Sequence, residues 1–289
     1  MKVFFNPKMS TPSHGYSPSG SKPSAAVADW TEKGLDIEIM PFEPATQADL
    51  CLAHDPVFVT EILTLQYNNG HGNKLKSVTN SCLWTVGSMV AAARRAITDG
   101  ITCSPSSGFH HAGYAYNGAF CTFNGQMVAA RKVIAEGLVS RVGIVDCDAH
   151  YGDGTQDIIE QLGLNDVIKH WTFGAEFGGL RSEFSQESLL RQLGRTLADM
   201  KSDGVELILY QAGADPHIND PLGGTMTTDE MRERDQFVFT TCRELGMPVA
   251  YAHAGGYQVE ADGSIPVVLE LHRNTALEAI RVLSISAKC

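Results

Sequence analysis

The nine residues DCDAHYGDG, 146 to 154, place three aspartates and a histidine directly behind the apolar run RVGIVDC. A buried strand that leads into closely packed carboxylates delivers its charge at one place. If the backbone stays extended there, side chains alternate, so Asp146, Asp148 and His150 share one side and Cys147 and Ala149 the other. Like-facing carboxylates repel one another and lose hydration unless something positive sits among them. A divalent metal meets that need, and Asp oxygen with His nitrogen is an ordinary zinc shell. The plainer reading is a solvated loop that opens a helix at Gly154 and Thr155, with Asp153 as its cap.

Other strand ends bear on that choice. VELILYQAG runs into ADPHINDPLGG and puts Asp215 at its carboxyl end. Asp148, His150 and Asp215 would be three protein ligands that leave a fourth position for water or substrate. His217 is an alternative ligand, or an exposed loop histidine after the Pro216 turn. SPSSGFHHAGYAYNGAF carries adjacent His110 and His111 in a Gly-rich, aromatic setting. They could be surface residues or an opportunistic metal site, but an imidazole near neutral pKa can take and return a proton, and needs a partner on its other nitrogen. Asp146 and Asp153 are unused partners. In AHAGGYQ, Gly255 and Gly256 allow turns that other residues avoid and a close approach to a ligand. Tyr257 then projects from the turn, either as a structural tyrosine or as a phenol donor to an oxyanion.

The elements that must position these residues follow a regular pattern from residue 120 onward. Apolar strands RVGIVDC, DVIKHWTFG, VELILYQAG and MPVAYAHAGG alternate with amphipathic segments TFNGQMVAARKVIAEGLVS, GTQDIIEQLG, SQESLLRQLGRTLADMKSDG and TTDEMRERDQFVFTTCRELG. Such alternation predicts crossover units and a mostly parallel sheet with helices on both faces, a three-layer α/β fold. Upstream, KVFF reads as an edge or opening strand and Lys8 to Ser24 as a loop. Two short helices fall between Asp49 and Gln66, and SCLWTVGSMVAAARRAITDG is a helix that Gly100 stops. In open parallel sheets ligands bind beyond the carboxyl ends of the strands, which is where the candidate residues fall.

The chain has 289 residues, 43% of them hydrophobic, and can form one domain spanning 1–289. A net charge of -11 argues against a nucleic-acid partner. The opening MKVFFNPKMSTPSHGYSPSG lacks the apolar stretch of a secretory signal, and no window has the ~18 apolar residues of a membrane helix. Seven scattered cysteines without C-x-x-C spacing fit a reducing compartment, so a soluble cytoplasmic protein without a membrane partner is expected.

Taken in order, GFHHA with GAFCTFNG, DCDAHYGDGTQ, GADPHINDPLGG and AGGY resemble the zinc-dependent histone deacetylase and acetylpolyamine amidohydrolase superfamily, which has an arginase-like fold. The resemblance covers about Leu50 to His272. It implies one zinc ion per chain on Asp148, His150 and Asp215, and His111, paired with Asp153, as general base and then acid. It further implies an electrostatic role for His110, paired with Asp146, and a hydrogen bond from Tyr257 to the amide carbonyl. Phe120 and Phe177 would line the channel for the acyl-bearing chain, close to the Gly255–Gly256 turn. A structural potassium ion would involve Asp146 and the backbone of Asp148 and His150. The reaction implied is attack of a metal-activated water on an acylated lysine or small acylated amine such as a polyamine, releasing acetate or a related acid. Homo-oligomer formation stays open. The stretch between HWTFGAEFGG and the helix near Ser185 is short, which suggests an open mouth, with His14 and Tyr16 on its rim.

Two alternatives differ in chemistry. A binuclear manganese ureohydrolase of the arginase type uses D-A-H-x-D, whereas DAHYGD has one residue more between His150 and Asp153. A catalytically silent acyl-lysine or amine binder would be signalled by a missing Tyr or His, and none is missing.

Overall fold

The computed structural model describes residues 1–12, 17–177 and 184–286. Among these residues, seven strands form one parallel sheet: β1 (Lys2–Val3), β2 (Glu38–Ile39), β3 (Ile101–Ser107), β4 (Val142–Asp146), β5 (Ile168–Thr172), β6 (Leu207–Gly213) and β7 (Val249–Ala254). Their spatial order is β2-β1-β3-β7-β6-β4-β5. The expected α/β architecture is thus observed.

Alternation along the strands divides the core between two faces. Ile208, Tyr210 and Ala212 of β6 and Val249 and Tyr251 of β7 pack on one side. There they meet α1 (Lys22–Glu32), α8 (Gln186–Ser202), α9 (Thr228–Glu244) and α10 (Pro266–Ser286). Leu207 and Leu209 with Ala250 and Ala252 face the other way. They meet α2 (Gln47–Leu50), α3 (Pro56–Leu63), α4 (Lys76–Asp99), α5 (Gly125–Ala135) and α6 (Asp153–Gln161). Both faces are covered by helices, so β4, β6 and β7 read as continuous apolar runs. A four-residue helix, α7 (Phe173–Glu176), follows β5 directly.

Local chemistry sets the helix ends. At α9, Thr227 accepts from the Glu230 N–H at 3.3 Å, and the Glu230 carboxylate accepts from the Thr227 N–H at 2.7 Å. This closes a capping box of the kind its Thr and acidic residues suggest. Gly100 ends α4 at φ +87°, a conformation a side chain would strain.

Three elements depart from the sequence expectations. The loop assigned to Lys8–Ser24 gives way to α1 at Lys22, with Pro23 in its first turn. β3 was hidden by its composition, ITCSPSS, yet it lies third in the sheet. Its hydroxyls are satisfied by neighbours: Thr102 donates to Ala92 O at 2.8 Å, and Ser104 bonds Ser88 at 2.7 Å. Pro105 falls where the β3–β7 register shifts, so no ladder donor is lost. Finally, the backbone after Asp146 does not stay extended. Asp148 N–H turns back onto Asp146 Oδ1 at 3.0 Å, and His150 N–H onto Asp148 Oδ1 at 3.0 Å. Aspartate side chains compete for nearby backbone donors in this way, which replaces simple alternation by a folded loop.

Candidate active site

β4 and β6 are neighbours, but β4 leads into α6 on one face and β6 into α9 on the other. Their connections diverge and leave a crevice beyond the two carboxyl ends, the usual ligand site of an open α/β sheet. Asp148 stands two residues past the end of β4, and Asp215 two residues past the end of β6.

Asp148, His150 and Asp215 each direct a ligand atom into this crevice, all within 4.8 Å of one another. His150 Nδ1 lies 3.0 Å from Asp148 Oδ1 and 3.0 Å from Asp215 Oδ2. Two atoms bound tetrahedrally at zinc distances stand roughly 3.3 Å apart, and the two separations from His150 are close to that. Both carboxylates are buried. Burial works against ionisation of Asp148, but the charge of His110 and the bond from His150 hold it well below the usual carboxylate range. Burial and the charge on Asp148 push Asp215 up. Bonds to the two carboxylates raise His150 to about 11. These shifts express the demand of two buried carboxylates for a positive partner, and a metal ion meeting that demand would displace the imidazole proton. His217 is committed elsewhere: its Nδ1 meets Gln258 Nε2 at 3.0 Å and its Nε2 meets Thr228 Oγ1 at 3.1 Å.

The tandem histidines lie against this cluster. His110 Nδ1 bonds Asp146 Oδ2 at 2.7 Å, and His111 Nδ1 bonds Asp153 Oδ1 at 2.6 Å. A carboxylate only accepts, so each Nδ1 carries the proton and each Nε2 faces away from its aspartate. The two rings are 4.0 Å apart, and His111 is 6.0 Å from His150. His110 is buried, and its Nε2 is 3.8 Å from Asp148 Oδ1. Burial alone would lower its pKa, but Asp146 and Asp148 override that and bring it up to about 9. Asp153 is not the cap of α6; Gly152 holds that position, and the Asp153 carboxylate goes to His111.

Tyr257 follows two glycines at φ +51° and +85°. A Cβ on Gly255 would stand 2.3 Å from Asp215 Cγ, so only glycine lets this turn approach the carboxylate. Tyr257 N–H donates to Asp220 Oδ2 at 2.7 Å. Burial and the charges of Asp148 and Asp215 push its phenol pKa up, which keeps the hydroxyl a donor. The Phe120 ring is 6.3 Å from Tyr257 and 5.6 Å from His71. Phe177 stacks on Phe173 at 5.2 Å and meets Phe184 edge-on at 6.0 Å. His14, Tyr16 and the loop after Phe177 lie outside the described residues.

Two features escaped the sequence reading. Lys22 is fully buried, donates through Nζ to Gly255 O, and feels the charges of Asp215, Asp148 and Asp220. Burial lowers its pKa to about 8. Pro23 with apolar Ala26, Val27 and Trp30 at helical spacing could have revealed the helix that carries it. Phe120 has φ +66°, rare for a bulky residue, and its N–H is held by Gly70 O at 2.9 Å. No sequence signal marks that strain.

The comparisons agree with this geometry. Residues 21–168 match the model of the histone deacetylase domain. An uncharacterised protein of Picosynechococcus sp. is 31% identical over 230 residues, covering 73% of this chain and 76% of its own length. Histone deacetylase 2 of Arabidopsis thaliana is 28% identical over 186 residues, 60% of this chain and 48% of that protein. The HDA15 HD domain crystal structure superposes with a TM-score of 0.72 at 19% identity, covering 99% of this chain and 96% of that one. The acetylpolyamine aminohydrolase of Burkholderia pseudomallei gives 0.72 at 18%, with 98% and 99% covered. These two likenesses show the fold, and the sequence matches carry the family. A domain match over half the chain, with a relative matched over three quarters of its own length, makes this chain a member of the histone deacetylase family.

Proposed function

We propose that this chain is a zinc-dependent amide hydrolase that removes acetyl or a related acyl group from lysine side chains or small amines. The observation that carries the reading is the convergence, in one crevice, of the Asp148–His150–Asp215 cluster with two imidazole–carboxylate pairs. The donor set fits zinc in residue type, spacing and burial, and one zinc ion per chain is proposed there. When bound, the ion would supply a Lewis acid toward the amide carbonyl and an attacking water.

The chain's own residues then divide the work. His111 has its Nδ1 proton committed to Asp153, so Nε2 is the atom that accepts a proton from water and later returns it to the departing amine. His110, held by Asp146, adds positive potential beside the developing negative charge. Tyr257 donates its hydroxyl to the acyl oxygen. Phe120 beside Tyr257, and Phe177 from its cluster with Phe173, would flank the acyl-bearing chain. A potassium ion near Asp146 and the backbone of Asp148 and His150 belongs to the same proposal.

We read residues 1–289 as one catalytic domain, because strands drawn from residue 2 to residue 254 enter a single sheet. No helix among the described residues is long and apolar enough to cross a membrane. The six cysteines among the described residues are free thiols and support a cytoplasmic setting, and the net charge of -11 supports a substrate other than nucleic acid.

The test is hydrolysis of a panel of acyl-lysine peptides and acylated small amines by wild type and His111→Ala. Acid release by wild type is expected, with loss in a variant that keeps its zinc and its circular dichroism. Full activity in the variant would overturn the base assignment. Urea release from guanidino compounds, with two metals per chain, would overturn the class.

A further inference from the structure

Behind the crevice, on the α9 face of the sheet, a buried cation ties together the two strand ends that carry the aspartate ligands. Arg234 of α9 is 1% exposed. Its Nη1 donates to Cys147 O at 3.2 Å and to Gly213 O at 3.0 Å. Cys147 directly precedes Asp148, and Gly213 is two residues before Asp215. The β4–β6 ladder ends just there, its final bond running from Cys147 N–H to Gln211 O at 3.0 Å. Arg234 takes over where the ladder stops. The strand tips also meet closely, since a Cβ on Gly213 would lie 2.5 Å from Asp148 Cα.

The guanidinium is itself immobilised. Nε and Nη2 bond Asp235 Oδ1 at 2.9 and 2.8 Å. Asp235 in turn accepts from Tyr210 of β6 and Thr275 of α10. A buried ion pair is a poor device for stability alone, because apolar residues of similar volume would fill the same space without losing hydration. Its geometric effect is specific: one planar donor group spans both carbonyls and so sets their separation.

We infer that Arg234 is a positioning residue for the metal centre, bridging Cys147 O and Gly213 O so that Asp148 and Asp215 are held at the separation a zinc ion requires. The inference rests on the zinc reading of Asp148, His150 and Asp215. Partners that orient metal ligands typically govern affinity by about ten- to a hundredfold, and Arg234 acts through the backbone, so about tenfold is expected.

The experiment follows zinc loss from the loaded protein to a coloured chelator, alongside thermal unfolding, for wild type, Arg234→Lys and Leu193→Ala. Leu193 is equally buried on the same face of the sheet, so its variant reports destabilisation alone. About tenfold faster zinc transfer from Arg234→Lys, with the Leu193→Ala rate unchanged despite a lower melting temperature, supports the inference. A rate within twofold of wild type overturns it, as does an equal acceleration in Leu193→Ala. Should Arg234→Lys fail to fold, Thr275→Val, which removes one of the donors that anchor Asp235, decides by direction: faster zinc transfer supports the inference and an unchanged rate overturns it. Wild type that holds no zinc would instead refute the metal reading itself.

Discussion

Gly255→Ala is a single-methyl perturbation aimed at the proposed metal centre. The added Cβ would stand 2.3 Å from Asp215 Cγ and 2.5 Å from each of its carboxylate oxygens. Comfortable carbon contacts begin near about 3.5 Å, so the carboxylate must retreat by roughly 1 Å. Metal–ligand distances hold to within about 0.2 Å, so such a retreat removes the oxygen from coordination. Placing alanine at φ +51° adds about 1–2 kcal/mol, against a usual total stability of about 5–15 kcal/mol, and the variant should still fold. Zinc transfer to a chelator should accelerate by at least the ten- to hundredfold seen when a ligand's orienting partner is lost. Gly256→Ala is the control, because its Cβ would meet Val268 and Ala214 rather than Asp215. It should lower the melting temperature and leave the zinc rate unchanged. Zinc held as tightly in Gly255→Ala as in wild type would refute the placement of Asp215 in the shell.

Two further expectations concern the phenol and a structural imidazole. Tyr257→Phe should reduce kcat by about a hundredfold or more with little change in KM, as for other lost oxyanion donors; a kcat within threefold of wild type would remove Tyr257 from the mechanism. His54 donates from Nδ1 to Gly113 O at 2.8 Å and accepts the Asn124 N–H on Nε2 at 2.9 Å, and burial lowers its pKa from 6.5 to about 4. Unfolded chains bind a proton below pH 6.5 while the folded imidazole stays neutral, so stability is full above that pH and falls as pH drops toward 4. Across that window the loss amounts to about 3 kcal/mol. Denaturant titrations at the two ends should show a loss smaller by about that amount in His54→Gln, and equal losses would refute the assignment.

Much of the fold was legible because its physics is local. β4, β6 and β7 declare themselves as apolar runs, and α8 and α9 by amphipathic spacing and caps. The candidate site was legible because its residues cluster at strand ends, and the crevice brings together Asp148, His150 and Asp215 as well as both His–Asp pairs. What stayed hidden depends on distant partners. β3 is a central strand built of Ser, Thr and Pro, made possible by hydroxyl bonds to α4 that no local window reveals. Lys22 and Arg234 are buried cations whose meaning comes from carbonyls 233 and 87 positions away along the chain. Nor could spacing foresee that the 146–150 segment folds back on its own aspartates while still delivering two of the three clustered side chains to the crevice.

Anomalous diffraction at the zinc absorption edge, from crystals of the zinc-loaded protein, tests the proposed metal centre most directly. One strong peak per chain within about 2.0–2.2 Å of Asp148, His150 and Asp215 is expected, with the fourth position open toward His111 and Tyr257. A peak elsewhere, or a second ion sharing these carboxylates, would contradict the single-metal hydrolase.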